Sequence, residues 1–269
     1  MTVASRLVGR LGPILPMWDK VGRNHRIAFP DRSNAEYKQL RHDTFTWLGT
    51  AVAELVCADK IWSERDERFE VVADDSIEGI RDHSRPIVFV TAHVGAWQYC
   101  NLISLVYGLP ISTLYAQESN PYFAELMLEL RERLGVRWVS NKGGIKTLVS
   151  ELRSGHSVGL AVDTRMDQGE ELQFFGYPAM TNTVPARLAI KQKCELVPIR
   201  VERLPNTRYR ITLEAPVQAR NPDANADAQA RDMTQQLLDR FEQWIRETPS
   251  EWMCLARRWP KSIDKAAQA

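Results

Sequence analysis

One stretch limits the folds open to this chain more than any other: Val88-Phe89-Val90-Thr91-Ala92-His93-Val94-Gly95-Ala96-Trp97-Gln98. An apolar, β-branched run follows Arg85-Pro86, and the pattern then changes to helical spacing through Trp97, Leu102, Leu105 and Val106. Such a run reads as a buried strand, so His93 falls where a strand hands over to a helix. In open α/β sheets ligands bind in that crevice, because side chains and helix N-terminal N–H groups converge there from a rigid frame. With an ordinary pKa near about 6.5, an imidazole in that place can take and return a proton near neutral pH. A histidine that merely caps the next helix is the competing reading.

The same alternation recurs along the chain. Phe69–Val72, Ile111–Tyr115, Val136–Val139 and Val158–Val162 read as strands, and Glu195–Val201 with Tyr209–Glu214 as a hairpin around Pro205-Asn206. Helices are predicted from Asp31 or Ser33 through Val56, from Asn120-Pro121 to Leu134, over Ile145–Arg153, from Thr183 as cap to Lys193, and through Met233–Ile245. This order predicts an α/β fold with a mixed, mostly parallel central sheet flanked by helices on both faces. At 269 residues and 44% hydrophobic content, one domain over 1–269 can bury a large core.

Composition then removes several functions. A net charge of +1 argues against a general nucleic-acid binder. Cys57, Cys100, Cys194 and Cys254 are far apart and fit reduced thiols rather than a metal site. No run reaches the roughly 18 apolar residues of a membrane helix, and the N-terminus has no signal-peptide profile. Leu7, Leu11, Ile14, Leu15 and Trp18 do follow helical spacing among Arg6, Arg10 and Lys20, with Pro13 and Pro16 as breaks. Residues 1–30 are therefore either a basic amphipathic segment on an anionic surface or a helix docked on the core. Gly155-His156-Ser157-Val158-Gly159 spells a hydrolase nucleophile elbow, but a helix precedes it and a strand follows, the reverse of the required order. The aromatic and basic tail from Trp252 to Trp259 is either an interfacial anchor or a packed terminus.

Four pieces in order, namely Ala92-His93-Val94-Gly95-Ala96-Trp97-Gln98, Asp163-Thr164, Phe174-Phe175-Gly176-Tyr177-Pro178-Ala179-Met180-Thr181 and the Trp252–Trp259 tail, resemble the bacterial lipid A late acyltransferases. That group includes mycobacterial phosphatidylinositol mannoside acyltransferases, and Asn24-His25-Arg26-Ile27-Ala28-Phe29-Pro30 is similar to a segment of it as well. The resemblance implies acyl transfer from an acyl thioester, on acyl carrier protein or coenzyme A, to a hydroxyl of a glycolipid or lysolipid. It implies a peripheral protein on the cytoplasmic face of the inner membrane, with no metal or prosthetic group.

The family pattern is His, four residues, then Asp or Glu, the acid orienting the imidazole. Here the acidic position is Gln98, whose carbonyl carries no charge to balance an imidazolium. Three readings follow. In the favoured one His93 is the general base and Glu171, placed as the second acid of the mannoside branch, supplies the charge, with Glu170 as understudy. Otherwise the chain is a silent lipid or carrier binder, or a lipid hydrolase. Asp163 matches the family's acidic position at a strand end and is counted with the catalytic residues, expected to hold an arginine or a sugar hydroxyl rather than to move protons. Lys142 and Arg165 are candidate contacts to thioester phosphates or carrier protein, and Trp97 and Gln98 candidate substrate contacts beside the ring.

Overall fold

The computed structural model describes residues 3–117 and 120–266. Three helices open the chain, α1 (Val3–Leu11), α2 (Trp18–Ala28) and α3 (Asn34–Val56), followed by short α4 (Ala58–Ser63) and α5 (Arg65–Arg68). Then come β1 (Phe69–Ala73), α6 (Gly79–Asp82), β2 (Ile87–Thr91), α7 (Ile103–Tyr107), β3 (Ile111–Tyr115), α8 (Pro121–Glu132) and β4 (Arg137–Ser140). The second half runs α9 (Gly144–Arg153), β5 (Ser157–Ala161), β6 (Arg165–Phe174), β7 (Tyr177–Thr181), α10 (Val184–Gln192), β8 (Glu195–Leu204), β9 (Arg208–Leu213), α11 (Ala226–Glu247) and α12 (Lys261–Ala266).

Seven strands form the central sheet in the order β1-β9-β8-β2-β5-β3-β4. Every neighbouring pair is parallel except the β8–β9 hairpin, so the sheet is mixed and mostly parallel, as the alternation of elements predicts. β2 is buried at all five positions and lies between β8 and β5, which explains its apolar, β-branched sequence on both faces. One core cluster packs Val88, Val90 and Leu160 under α10 and α11, and the other packs Phe89, Ile87 and Val197 under α7 and α8. β6 and β7 form a separate antiparallel ribbon.

Local signals set the helix ends. Ser33 Oγ accepts the Glu36 N–H at 3.3 Å while the Glu36 carboxylate accepts the Ser33 N–H at 2.7 Å, a reciprocal cap that starts α3. Thr183 sits at the cap position of α10 without capping it. Asn182 Oδ1 takes the Val184 N–H at 3.0 Å instead, and the Thr183 hydroxyl accepts from Arg187 Nε at 3.1 Å.

The amphipathic start divides between its two readings. α1 docks on α3 so closely that a Cβ on Gly49 would come within 2.9 Å of Ser5 Cα. Its other face leaves Leu7 56%, Leu11 44% and Ile14, just beyond the helix, 77% exposed, with Arg6 and Arg10 exposed between them. No helix among the described residues is long and apolar enough to cross a membrane. The C-terminal tail is a packed strap, not an interfacial anchor: Trp252, Met253, Cys254, Arg258 and Trp259 are all buried.

Candidate active site

Two strand ends meet at the site. In the parallel β2–β5 ladder Thr91 is opposite Ala161, and the Val162 N–H reaches the Thr91 carbonyl at 3.1 Å. Each chain then runs two residues past its strand, which brings His93 and Asp163 together although they are distant in sequence. The ring Nδ1 and the carboxylate Oδ1 are 2.7 Å apart. An ionised carboxylate only accepts, so Nδ1–H donates, and the basic lone pair is left on Nε2.

Burial by itself pushes the imidazole pKa down, but the charge and hydrogen bond of Asp163 outweigh it, so His93 sits above its ordinary value, with Arg131 pulling the other way. Burial would likewise raise Asp163; the facing imidazole and the hydrogen bonds from His93 and Trp252 hold it below the usual carboxylate range. Asp163 is only 2% exposed, whereas the His93 side chain is 29% exposed. The pair thus has its carboxylate sealed and its imidazole partly open to solvent.

Neighbours fix this geometry. Trp252 Nε1–H donates to Asp163 Oδ2 at 3.0 Å, and the Met253 N–H donates to the His93 carbonyl at 2.7 Å. The loop after His93 is tied to β8 by the Ala96 N–H on the Val201 carbonyl at 3.0 Å. Gly95 has φ of +64°, and a Cβ there would run into that same carbonyl oxygen. Beyond it a 3-10 turn (Trp97–Leu102) precedes α7, so the helical spacing is realised in two pieces. The Trp97 ring stands edge-on to His93 at 5.7 Å between centroids. Arg131, at the end of α8, lies over Tyr115 and Trp138 at 5.8 and 5.9 Å, close enough for its charge to act on His93. No motif in the sequence announces Arg131.

The model of the bacterial lipid A biosynthesis acyltransferases matches residues 4–261. This chain belongs to that family. It is 23% identical over 155 residues to the lipid A biosynthesis myristoyltransferase of Escherichia coli, covering 56% of this chain and 46% of that protein. It is also 23% identical over 208 residues to the phosphatidylinositol mannoside acyltransferase of Mycolicibacterium smegmatis, covering 76% and 66%. The matches span about half to two thirds of those relatives' lengths. A solved 1-acyl-sn-glycerophosphate acyltransferase from Thermotoga maritima aligns over 89% of this chain and 96% of its own, at 12% identity and a TM-score of 0.40.

In this member of the lipid A acyltransferase family the partner of the histidine is Asp163, which corrects two expectations. Asp163 holds the ring rather than an arginine or a sugar hydroxyl. Glu171 is exposed on β6, where Leu172 and Phe174 take the inward positions, because side chains alternate along a strand. Glu170 is occupied by Arg187 and, at 2.7 Å, by Arg231. Gln98 donates through Nε2 to the Ala51 carbonyl of α3 at 3.3 Å, so it braces the loop against α3.

Arg165 pairs with Asp167 at 2.5 Å and reaches the Trp259 carbonyl at 3.5 Å. Lys142 is exposed in the loop after β4, on the same edge of the sheet as His93 but three strands away, roughly 14 Å at ~4.8 Å per strand. Ser157, the apparent elbow serine, is buried and accepts the Ile87 N–H at 3.0 Å. Among the described residues no group of three or more His, Cys, Asp or Glu side chains is arranged to hold a metal ion.

Proposed function

We propose that this protein transfers a fatty acyl chain from an acyl thioester, of acyl carrier protein or coenzyme A, to a hydroxyl of a glycolipid or lysolipid. The observation that carries the reading is the His93–Asp163 pair, a half-open base on a sealed acid at the ends of two central parallel strands. His93 Nε2 takes the proton of the acceptor hydroxyl as its oxygen attacks the thioester carbonyl. The C–S bond then breaks, and the departing thiolate takes the proton back from the imidazolium. Asp163 balances the imidazolium while it lasts. The charge of Arg131 favours the oxyanion between the two steps, the Val94 and Ala96 N–H groups on either side of Gly95 being already bonded to the Ala92 and Val201 carbonyls.

The substrates come from two sides. The exposed Leu7, Leu11 and Ile14, interleaved with Arg6 and Arg10, suit peripheral contact with an anionic bilayer at the cytoplasmic face of the inner membrane. Lys142 offers positive charge to the phosphates or acidic carrier of the donor, Arg165 would have to exchange its Asp167 partner to do so, and Trp97 lines the approach to the ring.

The test is transfer of labelled palmitate from palmitoyl-coenzyme A, or from palmitoyl-carrier protein, to a bacterial polar lipid extract, read by mass spectrometry. A new acylated lipid that disappears with His93→Gln and with Asp163→Asn supports the reading. Free palmitate alone identifies a hydrolase, and vesicle binding without turnover a silent lipid binder; either result overturns it.

A further inference from the structure

We infer that Trp252 is a positioning residue for the Asp163 carboxylate, which makes the C-terminal strap that carries it a working part of the catalytic centre. The inference rests on the acyl-transfer reading of His93 and Asp163. A carboxylate held at one oxygen can still turn about its own axis. Here the second oxygen is taken by the Trp252 indole N–H at 3.0 Å, from a different part of the chain; the other donors, the ring and backbone N–H of His93, both come from the residue being positioned.

Indole is suited to the task because it only donates and does not titrate. It satisfies a buried oxygen without cancelling the negative charge that the imidazolium needs. A cation in its place would cancel it. The buried cation nearby, Arg258, is turned elsewhere, to the Met180 carbonyl at 2.9 Å and the Thr181 hydroxyl at 2.7 Å.

The strap is held so that the indole cannot drift. The Trp252 ring stacks on Phe175, with planes at 22° and centroids 6.0 Å apart. Phe175 itself occupies the β6–β7 turn at φ of +52°, a conformation that a side chain of this size adopts only when its surroundings hold it there. Asn24 of α2 then clips the strap at three points. Its Nδ2 donates to the carbonyls of Cys254 at 2.9 Å and Ala256 at 2.7 Å, and its Oδ1 accepts the Arg258 N–H at 3.1 Å.

The experiment uses the full chain with Trp252→Phe, and with benzothienylalanine at 252, which keeps the shape of the indole and removes only its N–H. His93 is titrated by NMR of 13C-labelled histidine, without substrate, and palmitoyl transfer is assayed in parallel. The positive end of the N–H dipole faces the pair, so its loss favours the imidazolium. The His93 midpoint is expected to rise by roughly half a unit to one unit. The other charges that reach the pair, Arg131 on α8 and Arg258 on the strap, are the same in both variants.

The transfer rate is expected to fall about tenfold to a hundredfold, with KM for palmitoyl-coenzyme A unchanged. Asn24→Ala is expected to shift both readouts the same way by less. Folded Trp252 variants with the wild-type midpoint and rate overturn the inference, and an Asn24→Ala protein with wild-type values overturns the role of the strap. Full activity in His93→Gln would instead refute the function proposed above, and the substrate-free titration would still judge Trp252.

Discussion

A second histidine in this protein also rests on a carboxylate, and the two pairs sit at opposite ends of one strand. His93 faces Asp163, which follows β5; His156, which precedes β5, has its Nδ1 2.9 Å from Glu151. The groups are of the same kind and the hydrogen bonds nearly equal, yet the surroundings differ. Glu151 also accepts from Arg137 at 2.6 Å and from Ser112 at 2.7 Å, so a guanidinium already balances its charge. The Asp163 side chain is held by the imidazole and backbone N–H of His93 and by a neutral indole, with no guanidinium bonded to it. Its charge is therefore available to an imidazolium, which general-base chemistry requires and a structural lock does not. A histidine–carboxylate contact does not by itself mark a site. What marks it is an acid with no cation hydrogen-bonded to it, at the C-terminal ends of adjacent parallel strands.

The largest effect expected from this contrast is on turnover. His93→Gln should abolish acyl transfer, and Asp163→Asn should lower it by about 10⁴, the scale at which a comparable acid-to-amide change acts in a serine protease. His156→Gln should leave the rate unchanged. Equal losses at the two histidines, in steady-state assays of folded proteins, would break the comparison.

Next in size is the pH dependence. His93 must be neutral to accept a proton, and Asp163 holds its pKa above the ordinary histidine value. The rate should therefore rise with pH through a midpoint above about 6.5 and be lost below it. In Asp163→Asn the supporting charge is gone while burial and Arg131 remain, so the residual activity should have its midpoint shifted downward. A rate profile with its limb at or below the ordinary value in the unmodified protein would contradict the pairing.

Much of the frame was legible in the sequence, because short apolar runs and helical stripes are local signals. β2, β3, β5 and the β8–β9 hairpin lie where periodicity and turn residues put them, and α3 starts at Ser33, one of the two caps the sequence offers. The partner of His93 was not legible in that way. Asp163 reaches the ring through the pairing of Thr91 with Ala161, a long-range register that no local pattern encodes. One signal was available: each residue comes directly after the stretch that reads as a strand, and in adjacent parallel strands such positions lie side by side. The spacing of Glu171 to Phe174-Phe175-Gly176 points to it, but alternation along β6, with Leu172 and Phe174 inward, turns that glutamate out. Arg131 and the indole of Trp252 arrive from a helix end and a C-terminal strap, by tertiary packing alone.

Glycines beside the two histidines sharpen the contrast further. Gly95 and Gly155 both have positive φ, +64° and +83°. A Cβ at 95 would strike the Val201 carbonyl, whereas one at 155 would meet nothing within 4 Å. Gly155→Ala should cost only the backbone term, about 1–2 kcal/mol, with full activity. Gly95→Ala carries the same strain and must also displace the loop that holds His93, so the rate should fall at least about tenfold. A Gly95→Ala enzyme with normal turnover would show that the loop's seat on β8 does not matter to the base.

The smallest effect belongs to Glu151 itself. Glu151→Gln keeps the shape but replaces a charged acceptor of three hydrogen bonds by a neutral one that must present an NH₂ to one of its donors. Arg137 is largely solvent-exposed, so screening reduces what the ion pair contributes, and a loss of about 1 kcal/mol is expected. In a chain of this size that corresponds to a fall in Tm of roughly 2–4 °C. Acyl transfer at 25 °C should be unaffected, because the change lies at the opposite end of β5 from the reacting groups. Calorimetry and the transfer assay on the same sample separate the two ends of the strand: a variant that melts earlier but turns over normally is a lock, and one that melts normally but turns over slowly would have to be counted with Asp163.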